Sequence, residues 1–296
     1  MRAQPHPGAG VEISDVDLRD LDEERFAEIH ALFVRHGLLF FRGQQLSEAD
    51  HIAFARRIGT INVNRFFPHN ERHPEIALVS KSPGQRFNIG GAWHTDHSYD
   101  VEPALGSILV ARELPDTGGD TCFVSMYAAW ERLPERVKRR LRAMSGVHSS
   151  KYVFGSKGAW VRRLLGADNQ IDNPELADAL DDVTHPAVIA HPLSGRPALY
   201  VNPGFTTGFS GWGTLRSAPL LAYLYYHATR PQHVARFRWE PGSVVMWDNR
   251  ATWHYARNDY PGQRRLMHRI TLDGCALEAS HSSPPQPTPR GTHPTS

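Results

Sequence analysis

Short apolar runs alternate with turn-forming stretches over most of this chain, and clear helical periods stand out in its first sixty residues. Residues 11–18 alternate apolar and polar side chains, the pattern of a half-buried strand. From Asp22 to His36 the apolar positions Phe26, Ile29, Leu32 and Phe33 recur at helical spacing, and Gly37 stands where a C-cap is wanted. Leu38-Leu39-Phe40-Phe41 reads as a short, fully buried strand. Ser47-Glu48-Ala49-Asp50 is a capping-box signal that opens a second helix, closed by Gly59. Short strands are predicted at 76–80, 107–111 and 121–124, separated by Gly/Pro-rich turns. A helical stretch follows at 126–144, interrupted near Pro134. The last third returns to strands at 187–190, 198–201, 234–239, 243–247 and 268–272. One helix, 218–229, interrupts them, with Ser217 as its cap.

Three stretches carry no such periodicity. Residues 1–10 are rich in Pro and Gly and are expected to be loose. Residues 155–183 are polar with weak periodicity and read as a long, lid-like loop. The tail, 279–296, lacks apolar residues to offset the entropy of ordering and is expected to be disordered. Many short strands with few helices predict a mainly β fold with peripheral helices, a barrel or double-sheet jelly roll formed as a single domain over 1–278.

Composition narrows the function. With 40% hydrophobic and 22% charged residues, the chain reads as a globular protein able to bury a sizeable core. Its net charge is +2 and its Lys and Arg are scattered; the one cluster, Arg136 to Arg142, reads as the outer face of a helix. The broad basic patch of a nucleic-acid-binding protein is missing. Only two Cys occur, Cys122 and Cys275, which excludes a disulfide framework and fits the cytoplasm. No signal-like or membrane-spanning apolar run is present, so no membrane partner is expected.

Candidate chemistry starts at Trp93-His94-Thr95-Asp96-His97. With 17 His and roughly 17 Asp in the chain, about one His-x-Asp arises by chance, and alone the motif reads more readily as a polar surface turn. On a strand, however, His94 and Asp96 would share one face. An imidazole and a carboxylate so placed are two-thirds of the facial triad of non-haem Fe(II) oxygenases. A second cluster, Trp239 to Arg250 followed by Ala251-Thr252-Trp253-His254, reads as a turn, a buried strand and a polar corner that would deliver His254 to the mouth of a barrel, although a lone late His is more often structural than a ligand. A third, Gln263 to Arg269, places Arg265, Met267 and Arg269 on one strand face. Two inward guanidinium groups need anions to meet them, and Arg matches carboxylates and sulfonates bidentately; solvated Arg on an edge strand is the alternative.

These residues, with Gly37 to Gly43, Gly118-Gly119-Asp120-Thr121, His191-Pro192 and Val201-Asn202, give the chain a marked resemblance to a known family. From Val11 to about Leu277 it resembles the taurine dioxygenase / 2,4-dichlorophenoxyacetate dioxygenase (TauD/TfdA) family of Fe(II)/2-oxoglutarate-dependent dioxygenases. The resemblance implies a double-stranded β-helix core with His94, Asp96 and His254 as ligands to Fe(II). It implies Thr121 and Arg265 on 2-oxoglutarate, with O2 as the second cosubstrate. It implies that His69, Phe154, Phe205 and Arg269 contact the prime substrate, a small anionic organic molecule, and that the protein is a homo-oligomer, dimer or tetramer. The chain departs from the taurine enzyme at Gly90, Val153 and His97, the last expected on the substrate side. Those departures thin the polar groups that would address an amine. The implied reaction is hydroxylation of a C–H in a sulfonate or carboxylate, with release of sulfite or an alcohol where the hydroxylated carbon is unstable. A biosynthetic oxygenase for a larger acid and a non-redox metal-binding barrel are the competing readings.

Overall fold

The computed structural model describes residues 1–165 and 173–280. Its strands are β1 (Arg2–Pro5), β2 (Val11–Ser14), β3 (Leu38–Phe41), β4 (Ile61–Asn62), β5 (Ala77–Lys81), β6 (Gly106–Glu113), β7 (Thr121–Ser125) and β8 (Ser145–His148). They continue with β9 (Val183–Pro186), β10 (Val188–Ala190), β11 (Pro197–Leu199), β12 (Thr206–Phe209), β13 (Ala235–Phe237), β14 (Val244–Asp248), β15 (Thr252–Ala256), β16 (Arg265–Leu272) and β17 (Glu278–Ala279). The helices are α1 (Glu23–His36), α2 (Glu48–Ile58), α3 (Met126–Glu131), α4 (Glu135–Leu141), α5 (Ser156–Leu165), α6 (Pro174–Ala179) and α7 (Thr214–Ala228).

One large sheet runs β1-β2-β3-β14-β6-β16-β4, with β5 also on β16; a second sheet runs β13-β7-β15. Two further small sheets, β12-β8-β9 and β11-β10-β17, extend the structure. The period-2 geometry of strands, with both faces covered, explains why β3 and the first four positions of β14 are all apolar. Leu38, Phe40, Val245 and Trp247 point at Phe123 of β7 and Phe237 of β13, forming the core between the two sheets. Their neighbours Leu39, Phe41, Val244 and Met246 point the other way and pack under Ile29 and Phe33 of α1 and Ile52 and Phe54 of α2. This is the mainly β, double-sheet jelly-roll architecture with peripheral helices that the apolar pattern predicts.

The helix ends follow their chemistry. Asp22 caps α1 by accepting from the Arg25 amide, and Gly37 closes it at φ 68°, the left-handed region that glycine adopts freely. Ser47 and Asp50 form the reciprocal capping box at α2. Ser47→Ala removes the acceptor for the Asp50 amide and is expected to cost about 1 kcal/mol, read as a lowered urea midpoint at unchanged slope.

Several sequence expectations change. Residues 1–10 are not loose: β1 pairs antiparallel with β2, from Arg2 opposite Ser14 to Pro5 opposite Val11. Its side chains are exposed, so no hydrophobic alternation announced it. The supposed loop 155–183 carries α5 and α6 and the start of β9, leaving 166–172 outside the described residues. Of the tail 279–296, Ala279 pairs with Ile189 and Ser280 is buried, while 281–296 lie outside the described residues. Helix α7 starts at Thr214, not 218, so Pro219 lies inside it and Ser217 is not its cap. The Ser217 hydroxyl instead accepts from the Phe209 amide at 3.1 Å.

Candidate active site

His94 and Asp96 do not share a strand. His94 forms an isolated bridge with His254, exchanging both backbone hydrogen bonds (3.1 and 2.8 Å), and Asp96 lies in the turn that follows. The bridge does what a strand face was expected to do, because it sets the two imidazoles side by side with ring centroids 4.1 Å apart. His254 is delivered by β15, whose partner β7 carries Thr121. The Asp248-Asn249-Arg250 corner before it is a buried knot. Asp248 accepts from His191 Nε2 at 2.9 Å and from Arg250 Nη2 at 2.7 Å. Burial alone would raise the Asp248 carboxyl, but Arg250 and His191 outweigh it and hold it well below the usual carboxylate range. Arg250→Met leaves that carboxylate half-compensated and is expected to cost about 3 kcal/mol, seen as a drop in Tm.

The ligand atoms of His94, Asp96 and His254 all lie within 4.8 Å of one another, an arrangement that could hold a metal ion. His94 Nε2 is 3.6 Å from one Asp96 oxygen and His254 Nε2 is 3.8 Å from the other. His94 Nδ1 donates to the Ala92 carbonyl at 2.8 Å, which fixes the tautomer that leaves an Nε2 lone pair facing inward. Burial pushes both imidazoles below their ordinary pKa, His254 strongly, so both are neutral and ready to ligate at neutral pH. Asp96 behaves oppositely: burial would raise it, but the adjacent Arg269 guanidinium outweighs burial and holds it below its usual range, ionised. Its turn is anchored from behind. Thr95 donates to the Asn249 carbonyl, Ser107 Oγ donates to Asp96 at 3.3 Å, and Trp247 Nε1 donates to the Asn249 side chain at 2.8 Å.

The donor set opens onto a cavity of about 440 Å³. Arg265 and Thr121 meet there from opposite sheets, with Arg265 Nη2 3.5 Å from Thr121 Oγ1. Thr121 Oγ1 accepts from Trp239 Nε1 at 2.9 Å, which leaves its own proton free to donate. Arg269 lies on the same strand as Arg265 and grips Asp96 through Nη1 at 3.2 and 3.3 Å, its guanidinium 4.7 Å over the Phe67 ring. Arg265 Nε, and Arg269 Nε and Nη2, are buried without a partner. Buried donors of a fixed cation left unpaired in this way fit an anionic ligand, one at each guanidinium. Phe154 and Phe205 stand on the wall, joined by Val153, and Gly90 packs close beside the ring of His94, where a Cβ would fall 3.3 Å from Cε1.

Two residues expected on the substrate side do not line the cavity. His69 is not on the cavity wall; its Nε2 donates to the Asn64 carbonyl and its backbone bridges Ala77. His97 does not line the cavity either. It takes φ 58°, is buried, stacks on Tyr99, and bonds the Asp100 carboxylate through Nδ1 at 2.9 Å and the Asn64 side-chain Nδ2 through Nε2 at 3.1 Å. Conversely, Phe67, Ile89 and Gly204 were not singled out, yet all line the cavity. The Phe66-Phe67 doublet and the Asn202-Pro203-Gly204 turn were the available signals. Gly204 is forced by its neighbour, since a Cβ there would fall 2.7 Å from His94 Cβ.

Comparison with known proteins agrees with this geometry. Residues 2–271 match the taurine catabolism dioxygenase TauD, TfdA family. An alkylsulfatase of Acinetobacter baylyi is 34% identical, covering 92% of this chain and 84% of its own length. An alpha-ketoglutarate-dependent sulfate ester dioxygenase of Pseudomonas putida is also 34% identical, covering 91% and 89%. The crystal structure of a taurine dioxygenase from Burkholderia xenovorans superposes with a TM-score of 0.76 at 31% identity, covering 94% of this chain and 91% of that one. The chain therefore belongs to the TauD/TfdA family and is an oxidoreductase, a 2-oxoglutarate-dependent dioxygenase.

Proposed function

We propose that this dioxygenase uses Fe(II) and O2 to hydroxylate the carbon next to the anionic group of a small sulfate ester or sulfonate with an apolar body. The observation that carries the reading is Arg269, whose Nε and Nη2 are buried and unpaired between the His94–Asp96–His254 cluster and an apolar wall. His94, Asp96 and His254 would hold the metal, and Arg265 with Thr121 would clamp the distal carboxylate of 2-oxoglutarate. Bound together, Fe(II), 2-oxoglutarate and O2 supply C–H hydroxylation, with succinate and CO2 as coproducts. The chain's own residues do the positioning. Arg269 offers two parallel donors to a sulfate or sulfonate while Nη1 stays on Asp96, so the anion is held beside the metal ligand. Phe67, Phe154, Phe205, Val153 and Ile89 exclude water and hold the carbon body. A hydroxyl placed on the carbon bearing a sulfate ester gives R–CH(OH)–OSO3⁻, which collapses to the aldehyde and hydrogen sulfate.

The same wall argues about what is refused. Among the described residues Asp96 is the one acidic residue on it, and Asp96 is already committed to Arg269 and the imidazoles. An ammonium group would be buried there without a partner. A volume of about 440 Å³ that must also take the cosubstrate suits a small acid better than a large biosynthetic one. The test is a succinate-release screen over butyl to octyl sulfates, alkyl sulfonates, aryloxyacetates and taurine. Alkyl sulfates are expected to exceed taurine by at least about tenfold in kcat/KM, the penalty of an unpaired buried ammonium. Taurine as the best substrate would overturn the assignment.

A further inference from the structure

Between the His94–Asp96 turn and the aromatic wall lies a polar residue that belongs neither to the cavity lining nor to the candidate ligand cluster. Asn202 is 1% exposed and sits between β11 and β12. Its Oδ1 accepts from the Phe205 amide at 2.9 Å, and its Nδ2 donates to Ser98 Oγ at 2.9 Å. Only the amide oxygen can accept from an N–H, so the side-chain orientation is determined by the Phe205 bond. Its backbone is held as firmly. The Asn202 N–H donates to Thr206 Oγ1 at 2.8 Å, and its carbonyl accepts from the Thr206 amide and the Tyr225 hydroxyl, each at 3.0 Å. Ser98 lies two residues past Asp96, is fully buried, and also bonds His148 Nδ1 at 3.1 Å.

We propose that Asn202 is a positioning residue that locks the Phe205 wall to the His94–Asp96 turn and so sets where a substrate C–H lies relative to the metal-binding cluster. The two segments meet directly: the Phe205 ring stands edge-on to His94 at 6.4 Å between centroids, and Gly204 packs against His94 too closely for any side chain. Phe205 is also within 4.8 Å of Tyr99 and 5.7 Å of Phe154, so moving its backbone moves the wall as a unit. Arg265 and Thr121 arise from β16 and β7, outside this lock. Loss of Asn202 therefore mispositions the prime substrate and spares the cosubstrate clamp. Misplacement by an ångström is enough to cost a large factor in rate, and turnover of 2-oxoglutarate then runs ahead of product.

The inference rests on the cavity being the substrate site, and its test separates the two claims. Amide hydrogen exchange of the metal-free protein is compared for wild type, Asn202→Ala and Ser98→Ala, alongside turnover of hexyl sulfate with Fe(II) and 2-oxoglutarate. Exchange at Phe205 is expected to speed up in Asn202→Ala and to stay at the wild-type rate in Ser98→Ala, which keeps the Phe205 bond. Both variants are expected to release less sulfate per succinate, with the KM for hexyl sulfate up about tenfold in Asn202→Ala and the KM for 2-oxoglutarate within about twofold of wild type. Unchanged Phe205 exchange in Asn202→Ala, a wild-type sulfate-to-succinate ratio in both variants, or equal rises in both KM values overturns the proposal. If Asn202→Ala does not fold, the sulfate-to-succinate ratio of Ser98→Ala decides. A wild-type protein that turns over no member of the panel overturns the functional reading instead, and the Phe205 exchange then decides the lock alone.

Discussion

Asp96→Ala is expected to abolish turnover, lowering the rate of succinate release by at least about three orders of magnitude. The size follows from what a bound metal contributes: several kcal/mol of charge stabilisation, at about 1.4 kcal/mol per decade of rate. Asp96 is the extreme case among the three candidate ligands because it does two things. It supplies the one anionic donor of the cluster, and it is the partner of Arg269 at 3.2 Å. Removing it leaves three cationic or neutral nitrogen groups facing one another with nothing negative between them. His254→Ala is expected to lose metal as completely while leaving the Arg269 pair intact. Equilibrium dialysis against Fe(II) checks both variants, and near wild-type metal retention in either would remove that residue from the ligand set.

Arg265→Ala is expected to raise the KM for 2-oxoglutarate by about 30-fold or more while changing the KM for the prime substrate little. Truncating one partner of a buried charge pair costs about 2–5 kcal/mol, and each 1.4 kcal/mol is a tenfold change in affinity. Arg265 qualifies because it is 4% exposed, has Nε unpaired and has no carboxylate of the chain at salt-bridge distance among the described residues. Burial even draws its pKa below the usual value. Arg265→Lys should recover little, since an ammonium cannot reproduce the two parallel donors. Separate saturation curves for the two substrates check it; equal effects on both would mean that the strand, not the clamp, had been damaged.

Much of this architecture is legible in the residues, for physical reasons that also show where legibility stops. Strands β3 and β14 are apolar on both faces because sheet and helices cover them from both sides, so Leu38–Phe41 and Val244–Trp247 stand out. Capping chemistry is local, so Asp22, Gly37 and Ser47 mark the ends of α1 and α2. Strand β1 is exposed along its whole length, and α5 has exposed Trp160 and Leu164; neither presents the buried stripe by which periodicity is recognised. The site divides in the same way. The His94, Asp96 and His254 grouping and the Arg265–Thr121 pair are legible through the family resemblance, which joins motifs that are each weak alone. His69 and His97 lie off the cavity wall because proximity in sequence to the site says nothing of side-chain direction. The positive φ of His97 turns that ring toward Asn64 and Asp100. Gly204 and Asn202 meet His94 and Ser98 across about a hundred residues of chain; the Asn202-Pro203-Gly204 turn shows locally, but its tertiary partners do not.

The stoichiometry of a single reaction tests the functional reading most directly. With Fe(II), ascorbate, 2-oxoglutarate and hexyl sulfate in air, sulfate, hexanal and succinate are expected to form in equal amounts, with all three lost on adding a chelator. Sulfate released by a mechanism that needs no 2-oxoglutarate, or a hexanol product in place of hexanal, would contradict it.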